Sequence, residues 1–176
     1  MELIATKLKD CFIIKPTIFE DERGYFFESF NEKKFNEIAK LNIHFVQDNQ
    51  AMSHYGTVRG LHFQNGDYAQ AKLVSVVKGK VIDVAVDMRP NSETYLQHIA
   101  VELSGENKLQ LFVPRGFAHG YSVLKNNTIF QYKCDNYYNK ASEGGIYLLD
   151  KKLNIDWKIE EENMLISEKD RVISCL

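Results

Sequence analysis

Short runs of apolar and β-branched residues, separated by polar breaks, dominate the middle of the chain. The breaks carry Gly, Asn, Pro or Ser, as in Lys78-Gly79 and Lys125-Asn126-Asn127, and such breaks are typical of hairpin connections. Many short strands at this spacing favour a β-sandwich or a barrel. The predicted strands are 72–77, 80–87, 97–103, 109–113, 121–124 and 128–134.

One segment, 32–41, has a helical pattern. Phe35, Ile38 and Leu41 recur there at helical spacing, and Asn31 stands where an N-cap is needed. The chain shows no alternation of strands with helices, so a parallel nucleotide-binding sheet is not expected. The pattern therefore predicts a mainly β fold.

Alternation within 81–88 separates two faces, because successive side chains of a strand point to opposite sides of a sheet. One face is apolar, whereas the other combines small residues with Asp83 and Asp87. If the second face turns inward, the sheet encloses a cavity that contains carboxylates; if it turns outward, both carboxylates lie in solvent. Spacing alone leaves both possibilities open. Lys72 shares a face with Val74, where a charge needs a partner or a wet pocket.

Composition predicts a single globular domain over residues 1–176. Of the 176 residues, 44% are hydrophobic, and the mean hydropathy is -0.33, which suits one core. No apolar run approaches the roughly 20 residues of a membrane span, and the N-terminus lacks the features of a signal peptide. A cytoplasmic protein is therefore expected. The formal net charge of -2, without a Lys/Arg block, predicts no nucleic-acid partner and no membrane partner.

Cysteine and histidine spacings do not match those of metal sites. Cys11, Cys134 and Cys175 are odd in number and far apart, which argues against a disulfide framework and against structural zinc. The chain has no His-x-His pair to begin a ligand cluster and no Gly-x-Ser-x-Gly elbow for a hydrolase. A metal site is therefore not expected.

The run 59–64, Arg-Gly-Leu-His-Phe-Gln, carries the strongest candidate chemistry. Arg59 suits an anion, and the imidazole of His62 suits proton transfer near neutral pH. In a regular strand these two side chains lie on opposite faces. A bulge at Gly60 would bring both into one pocket; alternatively, Arg59 reaches the rim of the sheet while His62 lies deeper.

Two further residues have roles that pattern alone leaves open. His119, beside Gly120, is either a ligand contact or a packing residue. Tyr132 shares a strand face with Phe130 and Cys134, and it is either a functional phenol or a core tyrosine with a satisfied hydroxyl.

Short segments spread over almost the whole chain carry a family resemblance. They are 21–28, 47–49, 59–64, 69–74, 83–87, 114–120, 132–133, 136–138, 143–145, 156–157 and 167–170. Each is weak alone, but their number, order and spacing are specific. Through them the chain resembles the dTDP-4-dehydrorhamnose 3,5-epimerase family. The resemblance implies a cupin-type jelly roll, a β-sandwich or barrel with a few short peripheral helices.

The resemblance further implies an isomerase that inverts C3 and C5 of dTDP-4-dehydro-6-deoxy-D-glucose and forms dTDP-4-dehydro-L-rhamnose. The C4 ketone acidifies the hydrogens on C3 and C5, so a base can remove each proton, and the enolate is reprotonated on the opposite face. The reaction requires no redox cofactor or metal. The family is also dimeric, with exchange of N-terminal strands between subunits, so that residues such as Arg23 complete the partner's site.

Roles for single residues follow from the same resemblance. His62 matches the base, oriented by Asp170, and Tyr132 matches the opposing proton donor. Lys72 matches a substrate-contacting cation that stabilises enolate charge, and Arg59 matches a contact to the diphosphate. Further substrate-binding positions are Arg23, Glu28, Gln47, Asn49, His119, Tyr138, Glu143 and Lys169.

Two alternatives remain open at the level of sequence. A relative that inverts only C3 or only C5, or that acts on another nucleotide sugar, would carry the same His62 and Tyr132. A non-catalytic jelly roll that binds sugars would need Arg59 and the aromatic residues, but not an imidazole paired with a carboxylate and opposed by a phenol. A large separation between His62 and Asp170 would count against an enzyme.

Overall fold

The computed structural model describes all residues from 1 to 176. It contains fourteen strands and two α-helices. The strands are β1 (Glu2–Ala5), β2 (Phe12–Lys15), β3 (Phe19–Asp21), β4 (Gly24–Phe26), β5 (Gln47–Ser53), β6 (Thr57–Gln64), β7 (Lys72–Lys78), β8 (Lys80–Asp87), β9 (His98–Ser104), β10 (Gln110–Val113), β11 (Phe117–Val123), β12 (Thr128–Cys134), β13 (Glu143–Gly145) and β14 (Leu165–Ile166); the helices are α1 (Glu32–Ala39) and α2 (Glu168–Arg171).

Two larger sheets and one hairpin contain these strands. The first sheet has the order β1-β2-β10-β7-β12-β5, and the second has the order β13-β6-β11-β8-β9. All pairs are antiparallel except β14, which runs parallel to β6, and β3 pairs only with β4. Two facing antiparallel sheets with short helices at the periphery confirm the predicted cupin-type jelly roll. Neither helix is long and apolar enough to cross a membrane.

Apolar side chains form three clusters around the sheets. The largest, with 14 buried residues such as Val76, Val81 and Phe130, lies between the two sheets. A second cluster covers the outer face of the second sheet with the segment after β13, including the buried Trp157. In the third, Phe35 of α1 packs on the outer face of the first sheet. The sandwich is therefore filled at one end, which leaves room for a cavity at the other.

Five of the predicted strands occur within one residue of the expected ends, and 80–87 and 128–134 match the observed bounds. The strand predicted at 121–124 begins earlier, at Phe117, because the Gly- and His-bearing segment before Tyr121 pairs in register with β8. The polar strand β5 was not predicted from the sequence. Its inward side chains include Gln47 and Asn49, which line a polar cavity and so remove the apolar alternation.

The predicted helix starts as expected and ends two residues early. The side chain of Asn31 accepts a hydrogen bond from the backbone N–H of Lys34, which confirms the N-cap. Lys40 adopts a left-handed conformation, with a φ of 54°, and its N–H bonds to the carbonyl of Asn36. The helix therefore ends at Ala39, before Leu41.

The acidic face of β8 turns inward, so the possibility that both carboxylates lie in solvent is wrong. Asp83 and Asp87 are fully buried. Asp83 lies within the sandwich and contacts His119. Asp87 stands at the end of the strand, where the side chains of Arg89, Ser92 and Thr94 donate hydrogen bonds to it. Of the two carboxylates, only Asp83 belongs to the surroundings of the cavity.

An irregularity in β6 brings Arg59 and His62 to the same cavity. Against β11, His62 pairs with His119 whereas Arg59 pairs with Tyr121, so three steps along β6 match two along β11. The extra residue reverses the alternation, as a bulge does. Gly60 has a φ of +124°, and a Cβ there would lie 2.6 Å from the Cα of Gly120, so this close approach requires glycine.

Candidate active site

A cavity lies between the two sheets and consists of two adjoining compartments. The first has a volume of about 310 Å³, and the second has a volume of about 280 Å³. His62, Lys72 and Tyr132 line both compartments. The first compartment also contains the predicted site residues Arg59, His119, Lys169 and Asp170. The second contains Gln47, Asn49, Tyr138 and Glu143.

His62 and Asp170 form a direct pair although 108 residues separate them in sequence. Nε2 of His62 lies 2.7 Å from Oδ1 of Asp170. The carboxylate side chain is only 4% exposed, whereas the imidazole is 34% exposed and reaches the cavity. Ser167 caps α2 by accepting a hydrogen bond from the backbone N–H of Asp170, so the helix end positions the carboxylate.

Asp170 remains ionised in spite of its burial. Burial alone would raise its pKa, but the hydrogen bond and the charge of His62, together with hydrogen bonds from Gly60 and Ser167, lower the pKa below its usual range. An ionised Asp170 accepts the N–H of His62, fixes the tautomer and stabilises the imidazolium that forms on protonation. His62 is thereby equipped to act as a general base.

Lys72, at the start of β7, supplies a cation to the cavity. It forms no ion pair with any carboxylate of the chain, and burial lowers its pKa, with the nearby Cys134 and Asp83 acting in the opposite direction. A cation without a partner in a shielded cavity interacts strongly with negative charge that develops on a ligand.

Tyr132 approaches the cavity from the first sheet, opposite His62 on the second sheet. Its ring packs at a tilt against Phe130, with 6.0 Å between the centroids. Burial raises the pKa of the phenol, Cys134 acts in the same direction, and Arg59 acts against them. The phenol is therefore protonated at neutral pH and can donate a proton.

His119 forms a second imidazole–carboxylate pair, deeper than the first. Its Nε2 lies 3.0 Å from both oxygens of Asp83, and both side chains are almost completely buried. Burial raises the pKa of Asp83, while His119 and Lys72 act in the opposite direction. The sequence left open whether Asp83 faces inward or outward, and it did not pair Asp83 with His119.

An ion pair closes part of the rim of the second compartment. Nζ of Lys169 lies 2.7 Å from both oxygens of Glu143, and this contact joins α2 to β13. Below the rim, Gln47 donates to Asn49 at 3.0 Å and accepts from the backbone N–H of Tyr138 at 3.1 Å. These polar groups suit a polar ligand.

Two predicted binding residues do not reach the cavity of the single chain. Arg23, in the β3–β4 hairpin, pairs with Asp21 at 2.6 Å. Glu28 pairs with Lys34 and accepts a hydrogen bond from Asn31. Both therefore lie apart from the residues that line the cavity.

Tyr121, which lines the cavity, and Ser53, which contacts a cavity residue, were missed at the level of sequence. Tyr121 lines the first compartment, and Ser53 accepts a hydrogen bond from Arg59. The signal for Tyr121 was its position two residues after His119, which places both on one face of β11. No three His, Cys, Asp or Glu side chains gather as a potential metal-ligand set.

Comparison with known proteins identifies the family to which this architecture belongs. The family model for dTDP-4-dehydrorhamnose 3,5-epimerase matches residues 5–176. The chain belongs to the dTDP-4-dehydrorhamnose 3,5-epimerase family. A curated epimerase of this name from Shigella flexneri is 49% identical over 170 residues, which cover 97% of this chain and 93% of that protein.

Solved structures of the epimerase family have the same fold. The dTDP-4-dehydrorhamnose 3,5-epimerase from Elizabethkingia anophelis is 60% identical, with a TM-score of 0.96 and coverage of 99% of this chain and 96% of that one. The dTDP-6-deoxy-D-glucose-3,5-epimerase from Legionella pneumophila, solved in complex with dTDP-4-keto-L-rhamnose, is 46% identical. Its TM-score is 0.95, with coverage of 99% and 92%.

Proposed function

We propose that this chain is a dTDP-4-dehydrorhamnose 3,5-epimerase that acts on dTDP-4-dehydro-6-deoxy-D-glucose. The observation that carries the proposal is the 2.7 Å pair of His62 with Asp170, in a cavity that Tyr132 enters from the opposite sheet. Inversion requires that a proton leaves one face of the sugar and returns to the other. A base and a proton donor on opposite sheets meet this requirement, and family membership supplies the substrate class.

In the proposed mechanism, His62 removes the proton next to the C4 ketone. The electrons of the C–H bond form the enolate, and the negative charge on its oxygen is stabilised by Lys72. Tyr132 then donates its phenolic proton to the opposite face of the same carbon, which forms the new C–H bond. His62 returns its proton to water and Tyr132 regains one, so that the cycle can repeat at the second centre.

Further residues are proposed to bind the nucleotide part of the substrate. Arg59 faces the first compartment without a carboxylate partner and suits the diphosphate. Its only side-chain hydrogen bond is the one to Ser53. The remaining contacts are assigned to the polar groups around the cavity: Gln47, Asn49, His119, Tyr138, Glu143 and Lys169.

Incubation with dTDP-4-dehydro-6-deoxy-D-glucose in D2O, followed by NMR of the sugar, tests this function. Deuterium at both C3 and C5 together with the L-rhamno product is expected, because each inverted carbon takes its proton from exchangeable groups. Deuterium at one carbon only would identify a single-centre epimerase. Its absence from both would contradict proton abstraction next to the ketone.

Two variants separate the proposed roles of base and donor. His62→Ala is expected to abolish exchange at both carbons, because it removes the proposed base. Tyr132→Phe is expected to keep part of the exchange but to lose inversion, because the enolate still forms and lacks its donor on the opposite face. Full activity of His62→Ala would overturn the assignment.

We also propose a homodimer in which N-terminal segments are exchanged. The β3–β4 hairpin exposes the aromatic side chains of Phe19, Tyr25 and Phe26, which are 63%, 56% and 68% exposed. Exposed aromatic groups of this density favour a partner surface. Exchange would allow Arg23 and Glu28 to reach a neighbouring cavity. A cytoplasmic location, expected from the sequence, stays a prediction that cell fractionation would check.

A further inference from the structure

A polar cluster of Arg59, Ser53 and Tyr121 lies at the first compartment and takes no part in the proton transfers; it is termed the Arg59 cluster below. Its members come from three strands, β6, β5 and β11. Nη2 of Arg59 donates a hydrogen bond to Oγ of Ser53 at 3.3 Å. Ser53 and Tyr121 are each only 5% exposed, whereas Arg59 is exposed. Tyr121 pairs with Arg59 across β11 and β6, so side chains from three strands meet at this compartment.

Arg59 is the cation of this cluster, and most of its donors are unused. It forms no ion pair with any carboxylate of the chain, and Ser53 is its only side-chain partner. A guanidinium carries five N–H donors in a planar fork, a shape that matches the oxygens of a phosphate. The unused donors of Arg59 are therefore available to an anionic ligand.

Tyr121 lines the first compartment beside Phe130. Its ring stacks on Phe130 with 4.0 Å between the centroids and an angle of 16°, so the position of the phenol is well defined. Burial raises the pKa of the phenol to about 12, against the effects of Arg59 and Ser53. Tyr121 therefore keeps its proton at neutral pH and acts as a hydrogen-bond donor.

Ser53 connects the other two members of the cluster. A serine hydroxyl has one donor and two acceptor sites. Its oxygen accepts from Arg59, and its closeness to the phenol is one of the effects that act to lower the pKa of Tyr121. The Tyr121 hydroxyl donates to no side chain or carbonyl of the chain and lines the first compartment, so its hydrogen is available to a ligand there.

We propose that the Arg59 cluster binds the diphosphate of the substrate, with Tyr121 donating its hydroxyl hydrogen to a phosphate oxygen and Ser53 holding the guanidinium in place. The proposal extends the contact expected of Arg59 to two residues outside the family resemblance stated above. It rests on the proposed function, because that function supplies the diphosphate. The two phenols of the cavity then have separate tasks: Tyr132 transfers a proton and Tyr121 binds.

Tyr121→Phe tests the cluster because it removes one hydroxyl and keeps the ring against Phe130. Calorimetric titration with dTDP is expected to show about tenfold weaker binding, the scale of one hydrogen bond to a charged acceptor. Thymidine, which has no phosphate, should bind the variant and the unchanged chain equally in an NMR titration. In turnover assays the loss should appear in KM rather than in kcat.

Two further variants make this comparison specific. Ser53→Ala should weaken binding of dTDP but not of thymidine, because the guanidinium loses its support. Tyr95→Phe is the matched control, since Tyr95 is an exposed tyrosine in the turn before β9 and lies outside the cavity. Thermal unfolding of each variant, followed by circular dichroism, checks that the fold is retained.

Each outcome of these measurements supports or contradicts the role of the Arg59 cluster in diphosphate binding. Unchanged dTDP affinity in Tyr121→Phe, or an equal loss for dTDP and thymidine, contradicts the role in diphosphate binding. If the unchanged chain epimerises while Tyr121→Phe binds dTDP normally, the cluster fails and the proposed function stands. If the chain binds dTDP as expected but does not epimerise, the function fails and the cluster stands. Absence of dTDP binding by the unchanged chain refutes both.

Discussion

Burial shifts the pKa values of the titratable residues that line the cavity in opposite directions. It disfavours the charged form, so it lowers the pKa of Lys72 and raises the pKa of Tyr132. Asp170 departs from this trend, because its hydrogen bond to His62 and the contacts around it outweigh the effect of burial. The result is a fixed carboxylate, a protonated phenol and a lysine that loses its charge more readily than an exposed one.

The lowered pKa of Lys72 predicts that turnover falls at alkaline pH. Above its pKa the lysine loses the charge that stabilises the enolate, so kcat should fall at a lower pH than an exposed lysine would give. Tyr132 cannot cause this early fall, because its pKa is raised. In Lys72→Arg the side chain keeps its charge, and the alkaline fall in a pH–rate profile should move to higher pH.

Lys72→Met is the companion variant. Below the pKa of Lys72 it should lower kcat by about 10²-fold to 10³-fold, which is the scale for loss of one electrostatic contact to an oxyanion. Above that pKa the difference from the unchanged chain should shrink, because the unchanged lysine has also lost its charge. An alkaline fall that stays at the same pH in Lys72→Arg would show that another group titrates, and would contradict the role of Lys72 in the pH dependence.

At the level of elements, the pairing of β6 with β11 controls which side chains enter the cavity. The irregularity between Arg59 and His62 depends on two glycines in close contact across the pair. At Gly120 an added Cβ would lie 2.5 Å from the carbonyl oxygen of Arg59. Since this neighbour is backbone, it cannot move aside as a flexible side chain would, and the two strands would have to separate.

Gly120→Ala is therefore expected to destabilise the fold and to disturb binding. The free energy of unfolding, measured by urea denaturation, should decrease by about 3 kcal/mol, at the upper end of the effect of overpacking. Gly66→Ala is the control, because Gly66 has a positive φ but no atom within 4 Å of an added Cβ. It should cost about 1 kcal/mol from backbone strain alone. Equal losses in the two variants would argue against the clash.

At the scale of the whole molecule, two sheets place residues of distant sequence on opposite sides of one cavity. His62 belongs to the second sheet and Tyr132 to the first. Arg23 and Glu28 are the predicted binding residues that the single chain does not bring there. Arg23 is 84% exposed and sits beside the exposed aromatic side chains of its hairpin. The proposed exchange of N-terminal segments between two chains would account for both observations.

Mixed dimers test this shared site. Arg23→Ala and His62→Ala chains, each inactive or impaired alone, would be co-expressed with different tags and the hybrid purified. If Arg23 serves the partner's cavity, each hybrid dimer contains one cavity with both residues intact and one that lacks both. Its activity should then be about half of that of the unchanged dimer. No recovery in purified hybrids would place Arg23 in its own chain's site or in none.

Local rules were sufficient for much of the fold. Strands such as β8 and β12 follow from alternation and turn residues, and the start of α1 follows from the capping side chain of Asn31. Prediction failed where side chains face the polar cavity, as in β5, because inward residues there are not apolar. The end of α1 was also missed, since the left-handed Lys40 has no glycine signal.

The sequence by itself determined the β-rich class, the main strand positions and, through ordered motifs, the expected roles of His62, Tyr132, Asp170 and Lys72. The tertiary structure decided which of these residues meet and which unforeseen neighbours join them. The pair of His62 with Asp170, the burial of Asp83 against His119 and the Arg59 cluster all join separate elements. Their geometry depends on strand register and sheet packing, which no local pattern encodes.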